Sequence, residues 1–267
     1  MQTPSPHRRF LDEVLPKIRQ DERVAGVGLA GSLAGGNPDV YSDVDLVVAV
    51  DDEAFDAVLA ERFALIGAWT ELVAGFTGEH VGEPRLVITL VGPPLLHVDF
   101  KFVRVSDFAE RGADPELLWD RDGRLAEALA ACPPAPRDFD PQWVEDRYWI
   151  WVHYAATKLG RGELFEVIGF LGYVREVVLG PLAALRAGAV PRGLRHLEAV
   201  APQEAVDLRA TLCGHDRADA ARAILACVDL YRRWTADAAV PIARRHRAEE
   251  LAVRYLQDVV DQAPDPA

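Results

Sequence analysis

The sequence predicts an α+β protein in two parts. A mixed-sheet domain occupies residues 1–135, and an all-α helical bundle occupies 136–267. Three observations predict this. The runs with strand character (24–30, 43–50, 70–76, 85–91 and 95–103) all precede residue 104. The segment Cys132-Pro-Pro-Ala-Pro-Arg-Asp-Phe-Asp-Pro141 reads as a linker by its prolines. Beyond it the apolar residues recur at helical spacing, with no strand signal.

Each element has its own justification. Residues 7–20 place Phe10, Leu11, Val14, Leu15 and Ile18 on one helical stripe. Residues 24–30 are small and apolar, as a buried strand requires. Gly35-Gly36-Asn37-Pro38-Asp39 is a breaker, and 43–50 is a second strand. Residues 53–66 form a helix with Phe55, Val58, Leu59 and Phe63 facing the core. The strands 85–91 and 95–103 are joined by Gly92-Pro93-Pro94 and read as a hairpin. Asp140 is an N-cap and Pro141 a first-turn proline for a helix whose stripe is Val144, Tyr148, Trp151, Val152, Ala155 and Leu159. After Gly160-Arg161-Gly162 a helical pattern runs to Leu179 and is expected to stop at Gly180-Pro181. Residues 193–213, 216–236 and 241–262 are helical by pattern.

Composition narrows the function classes. Half of the 267 residues are apolar, the net charge is −13 and the pI is about 5.0. Non-specific nucleic-acid binding needs a basic footprint, which this chain lacks. An acidic surface attracts cationic ligands and also keeps a protein soluble. Cys132, Cys213 and Cys227 are odd in number and widely spaced, without a C-x-x-C, so neither a disulfide framework nor a zinc site is expected. No signal peptide or spanning segment is visible, and a soluble cytoplasmic protein is expected.

Two phosphate-binding signatures overlap near the N-terminus. Residues 26–31 spell G-x-G-x-x-G, with Asp51 placed as a dinucleotide fingerprint requires. That fold needs an apolar strand before the first glycine and a long crossover helix after the third. Here Gln20-Asp-Glu-Arg-Val-Ala25 precedes, and Gly35-Gly36-Asn37-Pro38 ends any helix within a turn. Gly26 and Gly28 are better read as small residues in a strand that a neighbour approaches closely.

The second signature uses more residues. Gly31-Ser32 at a strand end opens a short turn whose N–H groups can hold phosphates. Asp43 and Asp45 are two apart on a strand, so they share a face, while Val44, Leu46 and Val48 take the other. On the strand 95–103, His97, Asp99, Lys101 and Val103 share one face, and Val98, Phe100 and Phe102 the apolar one. If the strands are neighbours, Asp43, Asp45 and Asp99 converge. Three carboxylates repel, and divalent cations relieve that repulsion. Oxygen ligands with room for phosphate and water suit magnesium, and two such ions can clamp an in-line displacement at phosphorus.

With Gly31-Ser32, Ser42-Asp43-Val44-Asp45 and His97-Val-Asp99-Phe-Lys101, the sequence resembles the DNA polymerase β-like nucleotidyltransferase superfamily. Within it, Gly31-Ser-Leu and Tyr41-Ser-Asp43 are similar to the small antibiotic nucleotidyltransferases of the aminoglycoside and lincosamide types. The resemblance covers residues 24–104 by motif and is architectural beyond. It implies that Asp43, Asp45 and Asp99 bind Mg2+, and that Gly31 and Ser32 bind the triphosphate. The implied reaction moves a nucleoside monophosphate, AMP from ATP in the simplest case, to a hydroxyl of a small molecule, releasing pyrophosphate. In the kanamycin type a second-domain helix supplies a glutamate base and, four residues on, a phosphate-binding lysine. Lys158 matches the lysine, but Tyr154 stands where the glutamate would be. Glu163 and Asp99 are therefore both candidate bases, and Lys101 is a further candidate for phosphate.

Other residues have plainer readings. His97 either points to the cleft or borders it. Trp143, Trp149 and Trp151 are expected mostly to pack the bundle. Arg192, Arg195 and Arg244-Arg245-His246-Arg247 are expected on solvated helix surface. Two other functions compete: a protein-modifying, antitoxin-like nucleotidyltransferase, and a non-catalytic nucleotide-binding protein. A homodimer is a further expectation from the resemblance.

Overall fold

The computed structural model describes residues 5–35, 39–135, 139–236 and 241–262. The expected breaker at 35–39 and the linker at 132–141 lie partly outside the described residues. The chain forms two compact units, Met1–Arg137 and Asp138–Ala267.

The first unit opens with α1 (Pro6–Ile18), capped by the Ser5 hydroxyl. Then follow β1 (Val24–Ala30), the one-turn α2 (Gly31–Ala34), β2 (Val44–Val50) and α3 (Phe55–Trp69). Strands β3 (Leu72–Gly78), β4 (Glu83–Val91), β5 (Leu96–Arg104) and β6 (Glu116–Asp120) complete the sheet, and α4 (Arg124–Ala131) closes the unit. The sheet order is β3-β4-β5-β2-β1-β6. Every neighbouring pair is antiparallel except β2 and β5, which run parallel. As expected, β4 and β5 form a hairpin through Gly92-Pro93-Pro94. No repeated strand–helix–strand unit of a dinucleotide fold is present among the described residues.

One sheet face carries the core. Val44, Leu46 and Val48, with Val98, Phe100 and Phe102, are buried there against α1 and α3. The core side of α3 differs from expectation. Phe55, Val58, Ile66 and Trp69 are buried, whereas Phe63 is 36% exposed. The helix runs one turn further than its stripe suggested, and Trp69 takes the core place with its ring 6.1 Å from those of Phe100 and Phe102.

The opposite face is built from small residues on β1. A Cβ at Gly26 would lie 2.6 Å from Leu125 Cδ2 and 2.7 Å from the Trp119 carbonyl oxygen, and one at Gly28 would lie 3.0 Å from Pro115. The glycines of the false fingerprint therefore admit β6 and α4, the two elements sequence reading missed.

The second unit is helical. It contains α5 (Pro141–Gly160), α6 (Leu164–Val174), α7 (Gly180–Arg186), α8 (Leu197–Val200), α9 (Pro202–Leu208), α10 (Arg217–Ala236) and α11 (His246–Asp261). Asp140 caps α5 by accepting from the Gln142 and Trp143 N–H groups. The expected stop at Gly180-Pro181 is absent. A π turn at Arg175–Leu179 joins α6 to α7 without a break, and Pro181, which has no N–H to donate, follows it directly in the first turn of α7. By length and composition Leu164–Arg186 could cross a membrane, yet 56% of its apolar window is buried inside the protein.

Arg244 also departs from expectation, because it is not on solvated helix surface. Glu145 is buried at 1% exposure. It accepts from Trp149 Nε1 (2.9 Å), the Tyr231 hydroxyl (2.7 Å) and the Arg245 N–H (2.8 Å). The Arg244 guanidinium lies 3.5 Å from the same carboxylate. A buried charge needs such partners.

Candidate active site

The site grows from the end of β1. Gly31 has φ +66°, a left-handed conformation that glycine adopts without strain. A Cβ there would fall 1.8 Å from Asp45 Oδ2, so the Asp45 carboxyl rests directly on the glycine. Ser32 follows. Its Oγ is buried and has no hydrogen-bond partner within the protein. A buried hydroxyl left so is costly, and a ligand that accepts from it relieves the cost.

Strand register brings the carboxylates together. Asp45 is the Cα partner of Ala30 on β1 and of Asp99 on β5. Both aspartates are half-buried. Asp43 lies one residue before β2, and a hydrogen-bonded turn holds the chain leading to it. Asp39 Oδ1 accepts from the Tyr41 N–H at 2.8 Å, and the Ser42 hydroxyl accepts from the Asp39 N–H at 3.0 Å. His7 on α1 is 6% exposed, and its Nε2 donates to the Ser42 carbonyl at 2.7 Å. Sequence reading missed His7 and Asp39. Neither carries a motif, because each acts only through a tertiary or local turn contact.

His97 Nε2 lies 3.0 Å from Asp99 Oδ1, so His97 borders the site and contacts a carboxylate in it. Lys101 shares the expected face, but its Nζ lies 3.0 Å from Glu83 Oε2. Glu83 also accepts from Arg85 Nε at 2.8 Å. These two cations hold its carboxyl down to about 2, with the Arg85 hydrogen bond the larger cause.

The oxygen-only donor set fits magnesium. Among the described residues no three His, Cys, Asp or Glu side chains close around one point as ligands. Asp45 and Asp99 are neighbours by register on one sheet face, and Asp43 precedes Asp45 by two residues. Magnesium is commonly held by one or two carboxylates, with water and substrate phosphate filling its other positions. Asp45 and Asp99, register partners on one face, offer two such carboxylates.

Lys158 and Glu163 lie in the second unit, on and just after α5. Lys158 Nζ is 2.5 Å from Glu163 Oε2. This contact holds the Glu163 carboxyl below the usual range and the Lys158 ammonium above its own. Tyr154, where a glutamate was sought, donates its hydroxyl to Glu166 at 2.5 Å. Trp149 is buried and Trp151 packs partly against the core, but Trp143 is 41% exposed.

An aminoglycoside 6-adenyltransferase from Bacillus subtilis is 13% identical, with 98% of this chain and 100% of that one covered and a TM-score of 0.41. A nucleotidyltransferase-like protein from Exiguobacterium sibiricum is also 13% identical, over 95% of this chain and 89% of that one, with a TM-score of 0.39. No curated protein matches the chain significantly. Residues 11–77 match the family model described as a nucleotidyltransferase domain, a span that includes the Gly31 turn, Asp43 and Asp45. That match lies wholly within the first unit.

Proposed function

We propose that the protein transfers a nucleoside monophosphate, AMP from ATP in the simplest case, to a hydroxyl of a small molecule and releases pyrophosphate. The observation that carries this reading is the contact of the Asp45 carboxyl with Gly31, one residue before the unpartnered Ser32 hydroxyl. The turn that would hold phosphates and the carboxylates that would hold metal are thus one local structure. Asp43, Asp45 and Asp99 would hold Mg2+, which neutralises developing charge at the transferred phosphoryl group.

The chain's own groups do the rest. Ser32 donates its hydroxyl hydrogen to a terminal phosphate oxygen, and the backbone of the Gly31 turn lies beside it. Asp99 takes the proton of the attacking hydroxyl, and His97, hydrogen-bonded to Asp99, orients it. Glu163 is the weaker base, because Lys158 holds its carboxyl low. The net charge of −13 suits a cationic, aminoglycoside-like acceptor. A cytoplasmic location belongs to the same reading, as ATP and magnesium are supplied there.

The test is incubation with α-labelled ATP, Mg2+ and a panel of aminoglycosides, with labelled product separated by chromatography. Label should move to at least one acceptor. Asp43→Asn should lower turnover by about 100-fold or more, as loss of a transition-state charge partner does, while the circular dichroism spectrum is unchanged. Wild-type turnover in Asp43→Asn would remove the metal assignment.

A further inference from the structure

The row of residues through Asp45 and Asp99 continues beyond the carboxylates. Asp99 is the Cα partner of Ile88 on β4, and Ile88 is the partner of Phe76 on β3. Ala30, Asp45, Asp99, Ile88 and Phe76 therefore form one straight row across five strands, on one face. Strands lie about 4.8 Å apart, so Phe76 stands roughly 10 Å from Asp99. The next row pairs His97 with Leu90. Phe76 is 55% exposed and Leu90 is 38% exposed. Further along this face, Ala49 and Val103 are covered by Phe108 and Leu125. The face is covered at that end, whereas Phe76, with the His80 ring 5.5 Å from its own, and Leu90 are exposed on the other side of the carboxylates.

Direction gives this shelf a meaning. Displacement at phosphorus proceeds in line, so the incoming oxygen enters opposite the leaving group. On the reading above, pyrophosphate leaves at Gly31–Ser32, at the β1 end of the row. The acceptor then enters from the other end, which is β4 and β3.

We infer that Phe76, Ile88 and Leu90 form the acceptor shelf, which seats the apolar face of a ring-bearing alcohol so that its hydroxyl reaches Asp99. In the step it serves, the acceptor oxygen forms a bond to the α-phosphorus as the bond from that phosphorus to the bridging oxygen breaks. The acceptor proton passes to Asp99, and the electron pair of the broken bond leaves with pyrophosphate. The shelf is continuous in register with the carboxylates and selects by apolar contact. It rests on the transferase reading. Phe76 is a positioning residue, which touches the acceptor away from the reacting atoms.

The experiment offers MgATP to the protein with a series of alcohols (methanol, cyclohexanol and benzyl alcohol) as surrogate acceptors. Mass spectrometry then reads the ratio of AMP ester to free AMP. In the wild type, cyclohexanol and benzyl alcohol should give ratios about tenfold above methanol at equal concentration, the scale of a modest apolar contact. Phe76→Ser and Leu90→Ser should each erase that preference, and Phe76→Tyr should keep it. Equal ratios for all three alcohols in the wild type would overturn the shelf, as would a preference that survives in both serine variants. A wild-type dimer that Phe76→Ser converts to monomer, read by light scattering, would make the shelf a subunit interface and overturn it too. Absence of any pyrophosphate release, with water or alcohol as acceptor, would instead overturn the transferase reading and the shelf with it.

Discussion

Gly31 joins two constraints at a single residue. Its φ of +66° disfavours any side chain, and the Asp45 carboxyl fills the space a Cβ would need. Gly82 shares the first constraint with φ +74°, but nothing lies within 4 Å of its notional Cβ. The two positions separate strain from site geometry. Gly31→Ala and Gly82→Ala should each lose about 1–2 kcal/mol of stability from the left-handed backbone, read by urea unfolding. Gly31→Ala alone should lose turnover, by about 100-fold, since displacing the Asp45 carboxylate, proposed above as a metal ligand, by about 1 Å costs that much. Equal loss of turnover in both variants would show that backbone strain, not the Asp45 contact, is the cause.

Among the elements, β4 and β5 show how charge and register cooperate. Glu83 bridges Arg85 on its own strand and Lys101 on the next, and its carboxyl is held down to about 2 from an ordinary 4.5. A depressed folded-state value stabilises fully above about pH 4.5, and that contribution fades as pH falls toward 2. Because the pair is partly exposed, the contribution is discounted to about 1 kcal/mol. Glu83→Gln should therefore be less stable than wild type by that amount at pH 7, with the gap closing near pH 2 in urea titrations. A gap that is constant with pH would assign the loss to packing. Elements of this kind were legible in the sequence where their signal was local. β1 and the Asp140 cap of α5 lie where the pattern put them. The short β6 was not legible, since Glu116–Asp120 carries two acids and is identified only by pairing with β1. The shared face of Asp45 and Asp99 was legible because period-two spacing fixes which side of a strand a residue takes. Phe76 was not, because its link to Asp99 is a register spanning three strands.

At the scale of the whole molecule, each unit carries its own core. Phe100, Phe102, Leu46 and Trp69 are buried in the first, and Tyr148, Trp149, Tyr231 and Leu256 in the second. Neither cluster shares a residue with the other. Fragments of 137 and 130 residues (267 − 137 = 130) fall in the range at which a single domain buries enough surface to fold alone. The buried Glu145 network lies wholly in the second unit, so its partners all survive division of the chain. The Gly31–Ser32 turn and all three aspartates lie in the first. Expressed separately, 1–137 and 138–267 should each unfold cooperatively in urea, and the second should give a helical circular dichroism spectrum. Isothermal calorimetry should detect MgATP binding to 1–137, weakened by Ser32→Ala, because the ligand satisfies that buried hydroxyl. A non-cooperative fragment would show that its core depends on the other unit. Equal affinity in 1–137 and its Ser32→Ala variant would show that the Ser32 hydroxyl takes no part in holding phosphate.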